Sequence, residues 1–379
     1  MIKENIDRVG IELYSRWKEY KLGDVLEIKY GKDHKEINDG NIPIYGSGGI
    51  MRYGDKALYD KKSILIPRKG SLNNIFYKDE PFWTVDTMFW TKINEGKVYP
   101  KFLFYQLTTV DYTNLNVGSA VPSLTVPVIE AIDILLPPIK EQTAIADILN
   151  SLDDKIDLLH RQNKTLEQLA ETLFRKWFVE EAEESWEVVR LKKLGKIICG
   201  KTPSKKVSSY FNGEYPFIKI PDMHGNTYVF ESIDSLTEQG LNSQQNKTIP
   251  PKSICVSCIA TVGLVVMNAK TSQTNQQINS IIPSKDICRY FIYLKMLSIK
   301  DELLAMASGG TATDNLNTGD FSKIEIQFPM ENVLKEFHEI VSPMFDKIYT
   351  NQTQIRTLTH TRDTLLPKLM SGEIRLNTI

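Results

Sequence analysis

Residues 135–178 read LLPPIKEQTAIADILNSLDDKIDLLHRQNKTLEQLAETLFRKWF. A short apolar strand runs into a Pro-Pro stop, and an amphipathic helix follows. Its apolar seam is Leu149, Leu152, Ile156, Leu159, Asn163, Leu166, Ala170, Leu173 and Trp177. The spacings alternate three and four, which is the coiled-coil pattern. Such a stretch looks like the end of a protein, yet it lies mid-chain. A second seam closes the sequence: Val341, Met344, Ile348, Asn351, Ile355, Leu358, Arg362, Leu365 and Leu369.

Two seams follow from a chain that is written twice. Trp17 opens WKEYKLGDVLEIKYGK, and Trp186 opens WEVVRLKKLGKIICGK at an offset of 169. KSILI at 62–66 returns as KSICV at 252–256, now at an offset of 190. GSAVPSL at 118–124 returns as GTATDNL at 310–316, and IDILLPP at 132–138 is answered by IEIQFPM at 324–330. The change in offset puts an insertion of about 21 residues within 222–249 of the second copy. Two copies are too few for a solenoid and fit duplicated modules related by an approximate two-fold axis.

Each copy reads as an α+β body followed by a helix. Segments beginning at Ser63, Ile132 and Ile254 have strand composition, while 102–110 and 290–297 are helix-like. The Gly-rich stretches at 46–49 and 308–313 read as turns or loops. The predicted organisation is one recognition body over 1–139, a central helix region over 140–179, a second body over 180–330 and a closing helix region over 331–379. Ser342-Pro343 reads as an N-cap followed by the first helical residue. Ser151 with Asp153 and Asp154 offers a similar start in the first copy. These signals predict a short helix, a break, and then a helix of about 27 residues, or about 40 Å. That length is close to one turn of B-DNA.

If the two helices pack antiparallel, one register sets Asn163 against Asn351, Ile156 against Leu358 and Leu166 against Ile348. A buried Asn pair costs stability but fixes register. The alternative is that each Asn only tolerates a partly wet seam. In the antiparallel arrangement the mid-chain helix is a spacer that carries the chain from one body to the other.

Composition narrows the function. The 379 residues are 41% hydrophobic and 25% charged, with net charge −1. That balance excludes a uniformly basic nucleic-acid binder but not a local basic face. No apolar run reaches transmembrane length, and the charged N-terminus shows no secretory pattern. The four cysteines follow no disulfide-framework spacing, so a reducing cytoplasm is expected. No phosphate-binding loop, HExxH or amino-methyltransferase signature is present. Cys255 and Cys258 form a lone C-x-x-C in an apolar segment and read as core residues rather than as zinc ligands. Neither a catalytic residue nor a metal site is predicted.

The bodies do carry residues suited to DNA. In the first they are Lys29, Tyr30, Lys32, Tyr45, Ser47, Arg52, Arg68, Lys69, Ser71 and Asn73. In the second they are Lys201, Thr202, Ser204, Lys205, Lys206, Gln244, Thr261, Asn275 and Gln276. Loop Lys and Arg contact phosphates, while Arg, Asn and Gln read base edges. The stronger signal is paired placement, since a Gly-Lys basic loop follows the same first strand in both copies.

Taken together, the Trp-led repeats, the LPP…EQ…LD run at 136–156 and the closing LLPKLMSGEIRL at 365–376 resemble the specificity subunit of type I restriction–modification systems. The resemblance covers about residues 17–376. It implies two target-recognition domains separated by a long antiparallel two-helix coiled coil, with each domain reading half of a split, asymmetric site in double-stranded DNA. It also implies two modification subunits that methylate adenine with S-adenosylmethionine. Where the system carries them, it implies two restriction subunits that use ATP and Mg²⁺. This chain itself binds no cofactor in that scheme. Partner contacts are expected near Leu136–Gln142 and on the exposed helix faces. The second copy departs from the pattern at Phe328-Pro329-Met330-Glu331, which lacks Pro-Pro and Glu-Gln. A self-contained DNA-modifying enzyme would need a catalytic motif, and a coiled-coil adaptor would leave the matched basic loops unexplained.

Overall fold

The computed structural model describes residues 17–118, 121–308 and 314–376. The chain divides into two units, one of residues 1–156 with 357–379 and one of residues 157–356.

The first unit opens with strand Lys18–Lys21, which pairs antiparallel with the closing strand Asp133–Leu136. Between them runs an antiparallel four-stranded sheet in the spatial order Leu26–Tyr30, Met88–Ile93, Ser63–Pro67, Phe76–Lys78. A smaller sheet joins hairpin strands Asp39–Gly46 and Gly49–Gly54 to the short strand Trp83–Thr84. Helix Pro100–Thr108 covers the larger sheet with Phe102, Leu103 and Leu107, which are fully buried. Pro100 suits the first turn, where its missing N–H leaves no bond unmade.

The second unit repeats this plan. Glu187–Arg190 pairs with Glu325–Phe328. Leu191 N donates to Ile324 O at 2.8 Å, as Leu22 N donates to Ile132 O at 2.9 Å in the first unit. The main sheet has the order Gly195–Cys199, Ile278–Pro283, Ile254–Ser257, Val265–Asn268, and then an added edge strand, Tyr228–Val229. That strand and the helix Glu238–Asn242 come from the segment predicted to hold the insertion. The smaller sheet is repeated too, with Phe211–Ile218 between Ser235–Leu236 and Gln273–Thr274, but residues 219–234 join its antiparallel pair where the first unit has a tight hairpin turn. Helix Arg289–Ser298 buries Tyr290 through Leu294 against the sheet, as the helix-like reading of 290–297 predicts.

Both long helices are unbroken, which corrects the expected short helix and break. One spans Ile139–Arg175 in 37 residues and the other Glu331–Met370 in 40. Pro343 therefore lies inside a helix, where the lost hydrogen bond costs about 3 kcal/mol. The cost is offset by burial on both sides of it. Leu334, Phe337 and Val341 before the proline, and Phe345 and Ile348 after it, share one core cluster. Ser151 is not a cap either. Its Oγ donates to the Ile148 carbonyl at 2.7 Å, a bond that a mid-helix Ser can make without ending the helix. Asp153, read as a first-turn residue, accepts from Tyr105 Oη at 2.6 Å and from Arg362 at 2.8 Å.

The helices pair antiparallel within each unit. In the second, Asn163 meets Asn351, and farther along the Trp177 ring packs at a tilt against Phe337. In the first, Asp153 meets Arg362, and Leu149 shares a cluster with Leu369. Along the predicted seam Ile156, Leu159, Asn163, Ile348 and Asn351 are buried. Leu152, Leu166, Leu173, Met344, Ile355, Leu358 and Leu365 are half-buried. Leu166 packs on the cluster that holds Ile348, as the Asn-centred register requires.

Candidate nucleic-acid interface

In both units the first sheet strand delivers a Gly-Lys pair to the same place. Gly31 N donates to Met88 O at 3.0 Å, and Lys32 N donates to Thr84 O at 2.9 Å. The second unit repeats both bonds, Gly200 N to Ile278 O at 3.1 Å and Lys201 N to Thr274 O at 2.9 Å. Glycine is required at each position by close approach of the chain. A Cβ on Gly31 would collide with the Val85 carbonyl, and one on Gly200 with the Asn275 carbonyl.

A second loop recurs beside the first. Residues 68–74 and 258–264 leave the central strand, and each begins with a matched pair of bonds. Arg68 N donates to Thr87 O, and Cys258 N to Gln277 O, both at 2.8 Å. Leu124 N then donates to Arg68 O at 2.9 Å, and Leu316 N to Cys258 O at 2.8 Å. This assigns a role to the repeated GSAVPSL motif, which buttresses the loop from behind. Residues 119–120 of that copy and 310–313 of its counterpart lie outside the described residues. Gly70 and Ala260 occupy equivalent positions and both have positive φ, +90° and +64°. The frame is therefore shared, while the side chains on it differ: Arg-Lys-Gly-Ser in one copy and Cys-Ile-Ala-Thr in the other.

Several predicted DNA-binding residues face solvent on these loops. In the first unit the Arg68 guanidinium lies 5.4 Å from the Tyr30 ring centroid and donates to Asp86 O at 3.2 Å. Tyr30 itself packs edge-on against Phe89. Arg68 is thus held flat before any ligand arrives, which reduces the entropy lost on binding. Lys32, Lys69 and Ser71 are exposed, and Ser47 is half-buried. In the second unit Lys201, Ser204, Lys205, Lys206 and Thr261 are exposed, as is Gln276. Thr202 Oγ1 donates to Gln276 Oε1 at 2.9 Å, tying the basic loop to the adjacent turn. No ion pair engages Lys32, Lys69, Lys201, Lys205 or Lys206 among the described residues, so each can meet a phosphate.

Other predicted contacts serve the protein instead. Tyr45 is buried among Leu65, Phe82, Met88 and Trp90. Arg52 spends its guanidinium on backbone, donating to His34 O at 2.6 Å and Ile37 O at 2.8 Å. Asn73 accepts from Tyr112 N at 2.8 Å and donates to Asp111 at 3.3 Å. Lys29 pairs with Glu27, two residues away on the same strand face, and this bond holds the Glu27 carboxyl below its ordinary range. Gln244 donates to the Lys201 carbonyl and to Gln273, so it positions the basic loop. Asn275 is buried and exchanges two bonds with Gln277. For Arg52, Asn73, Gln244 and Asn275 the cause is that partners remote in sequence or in turns claim atoms that look available, while Lys29 is engaged by a neighbour on its own strand.

The Leu136–Gln142 stretch also changes its meaning. Gln142 is buried, donating to Pro137 O and accepting from Tyr99 N, both at 2.8 Å. Glu141 accepts from Trp17 Nε1 at 3.3 Å. The Glu-Gln pair therefore fastens the helix start to the body, and only Pro138, Ile139 and Lys140 are exposed in that run. As expected, Cys255 and Cys258 are core residues. Burial pushes their thiols up to about 12 and about 11, which keeps them protonated and unreactive.

The pattern described as "Type I restriction modification DNA specificity domain" matches residues 14–168 and 183–360, one match for each copy of the repeat. The chain belongs to the type I restriction–modification DNA specificity family. It is 35% identical to the type I restriction enzyme HindI specificity subunit of Haemophilus influenzae, over 95% of this chain and 100% of that one. It is 26% identical to the MjaIX specificity subunit of Methanocaldococcus jannaschii, over 96% and 94%. The fold is similar to the crystal structure of the type I restriction–modification system S subunit from M. genitalium. The TM-score there is 0.67 at 16% identity, covering 93% of this chain and 96% of that one.

Proposed function

We propose that this chain is the sequence-reading, non-catalytic subunit of a type I restriction–modification complex. Each unit reads one half of a bipartite, asymmetric site in duplex DNA. The observation that carries this reading is the repeated loop frame. The same backbone bonds hold the Gly-Lys loop and its neighbour in both units, yet the exposed side chains differ. Two identical frames with different tips suit two half-sites of different sequence.

The chemistry then belongs to partners. Two modification subunits methylate adenine with S-adenosylmethionine, and two restriction subunits supply ATP- and Mg²⁺-dependent translocation and cleavage. The complex works in the cytoplasm. With a net charge of only −1, the chain alone binds DNA weakly, and partners provide much of the phosphate contact.

Domain exchange tests this reading. Replacing residues 1–139 with the first domain of another family member changes one half-site and leaves the other intact. Altered recognition of both halves would refute independent reading.

A further inference from the structure

The hairpin of the first unit carries a feature that stability does not explain. Strand Gly49–Gly54 lies at the edge of its sheet. Edge strands are ordinarily blunted with charge. Here Ile50, Met51 and Tyr53 stand 49%, 57% and 50% exposed. One such residue would be unremarked on any surface. Three within four positions, on the free edge of a three-stranded sheet, form a patch.

The pairing register explains how they come to point outward. Tyr45 pairs with Ile50, but Ile44 pairs with Arg52, so Met51 is an extra residue in a β-bulge. A bulge breaks the strict alternation of a strand and re-aims a side chain. It turns two consecutive apolar side chains, Ile50 and Met51, to solvent. The ribbon is also anchored firmly below its tip. Arg52 holds the backbone at His34 and Ile37, and Asn74 Nδ2 donates to Ser47 O at 2.9 Å. That last bond joins the hairpin turn to the Arg68–Ser71 loop. On the same side, a Cβ at Gly70 would meet Ser47 Oγ at 2.9 Å. The apolar tip and the basic loop therefore form one continuous surface. In the second unit the corresponding antiparallel pair, Phe211–Ile218 with Ser235–Leu236, is joined by residues 219–234 rather than by a tight turn.

We infer that the Asp39–Gly54 ribbon enters the major groove at the first half-site and that Ile50 and Met51 read thymine C5-methyl groups there. The inference deepens the proposed DNA-reading role and rests on it. A two-stranded ribbon fits the major groove, about 12 Å wide. Ile and Met offer no hydrogen bond, so they cannot read donors and acceptors. The apolar group on a major-groove edge is the thymine methyl. Lys69 and Arg68, beside the turn, meet the flanking phosphates.

The test uses the full chain assembled with its modification subunit, on duplexes carrying the mapped target. Each thymine of the first half-site, on either strand, is replaced in turn by uracil, which removes only the methyl group. Wild-type affinity falls about three- to five-fold at one or two positions, the worth of one buried methyl each. Met51→Ala loses a similar factor on the thymine duplex and becomes indifferent to uracil at the position Met51 reads, while any penalty at the position Ile50 reads remains. Its unchanged melting temperature confirms an intact fold. Uracil at the second half-site has no effect in either protein.

Indifference of the wild type to every uracil would overturn the inference, as would a first half-site without thymine. A Met51→Ala loss that leaves every uracil penalty in place would also overturn it, pointing to a wedge between bases instead. Absence of any bipartite methylated site would reject the underlying DNA-reading role itself, a separable outcome.

Discussion

Asn351 Nδ2 donates to Asn163 Oδ1 at 2.8 Å across the antiparallel helices, and both residues are buried. Each is the one amide of its seam, flanked by Leu159 and Leu166 on one helix and by Ile348 and Ile355 on the other. Shifting one helix by a turn would bury an amide against Leu or Ile, which costs the desolvation of an unpaired polar group. The pair therefore fixes register in the second unit.

Asn163→Leu or Asn351→Leu alone should destabilise by about 1–3 kcal/mol, because each leaves the partner amide unsatisfied. The double substitution should cost much less than the two single costs added together. Denaturant titration of the three variants measures the coupling. Additive losses would show that the two amides act independently.

The basic loop of the second unit should act through phosphates. Replacing Lys201, Lys205 and Lys206 with Ala should weaken binding of the assembled complex to all duplexes about equally. The slope of log affinity against log salt should shrink by about one for each lysine removed. An unchanged slope would place these side chains away from DNA.

Glu167 gives a pH prediction. Burial is the main cause raising its carboxyl above the ordinary 4.5. A hydrogen bond from Thr227 partly opposes this, and Glu171 adds to the rise. A raised folded-state value means the native state binds the proton more tightly than the unfolded chain does. Stability is therefore greatest below the ordinary value and declines as pH rises through the raised one. Glu167→Gln keeps an acceptor for Thr227 and should stabilise on the order of 1 kcal/mol at pH 7, with the advantage gone near pH 4. Thermal melts at the two values check the sign.

Much of this architecture is legible in the sequence because it rests on local periodicity and on repetition. Heptad phase allows an antiparallel register with Asn163 opposite Asn351, which the structure takes, and the offset jump locates the insertion that becomes strand Tyr228–Val229. Pro343 misleads because a local helix-start signal competes with burial of Phe337 and Phe345 in a shared core, and the core prevails. Arg52, Asn73 and Gln244 mislead for a different reason. Their partners are backbone carbonyls and turns that only the folded chain brings near. Met51 gives no signal in the sequence, because IMRY is too short and mixed to reveal a bulge. The exposure of Ile50 and Met51 follows from pairing register, which no single strand encodes.

The most direct test of the central claim is a genome-wide map of methylated adenine in cells expressing this chain with its modification subunit, compared with cells lacking only this chain. The account predicts one bipartite, asymmetric motif that disappears when the chain is removed. A methylation pattern unchanged by its loss would contradict it.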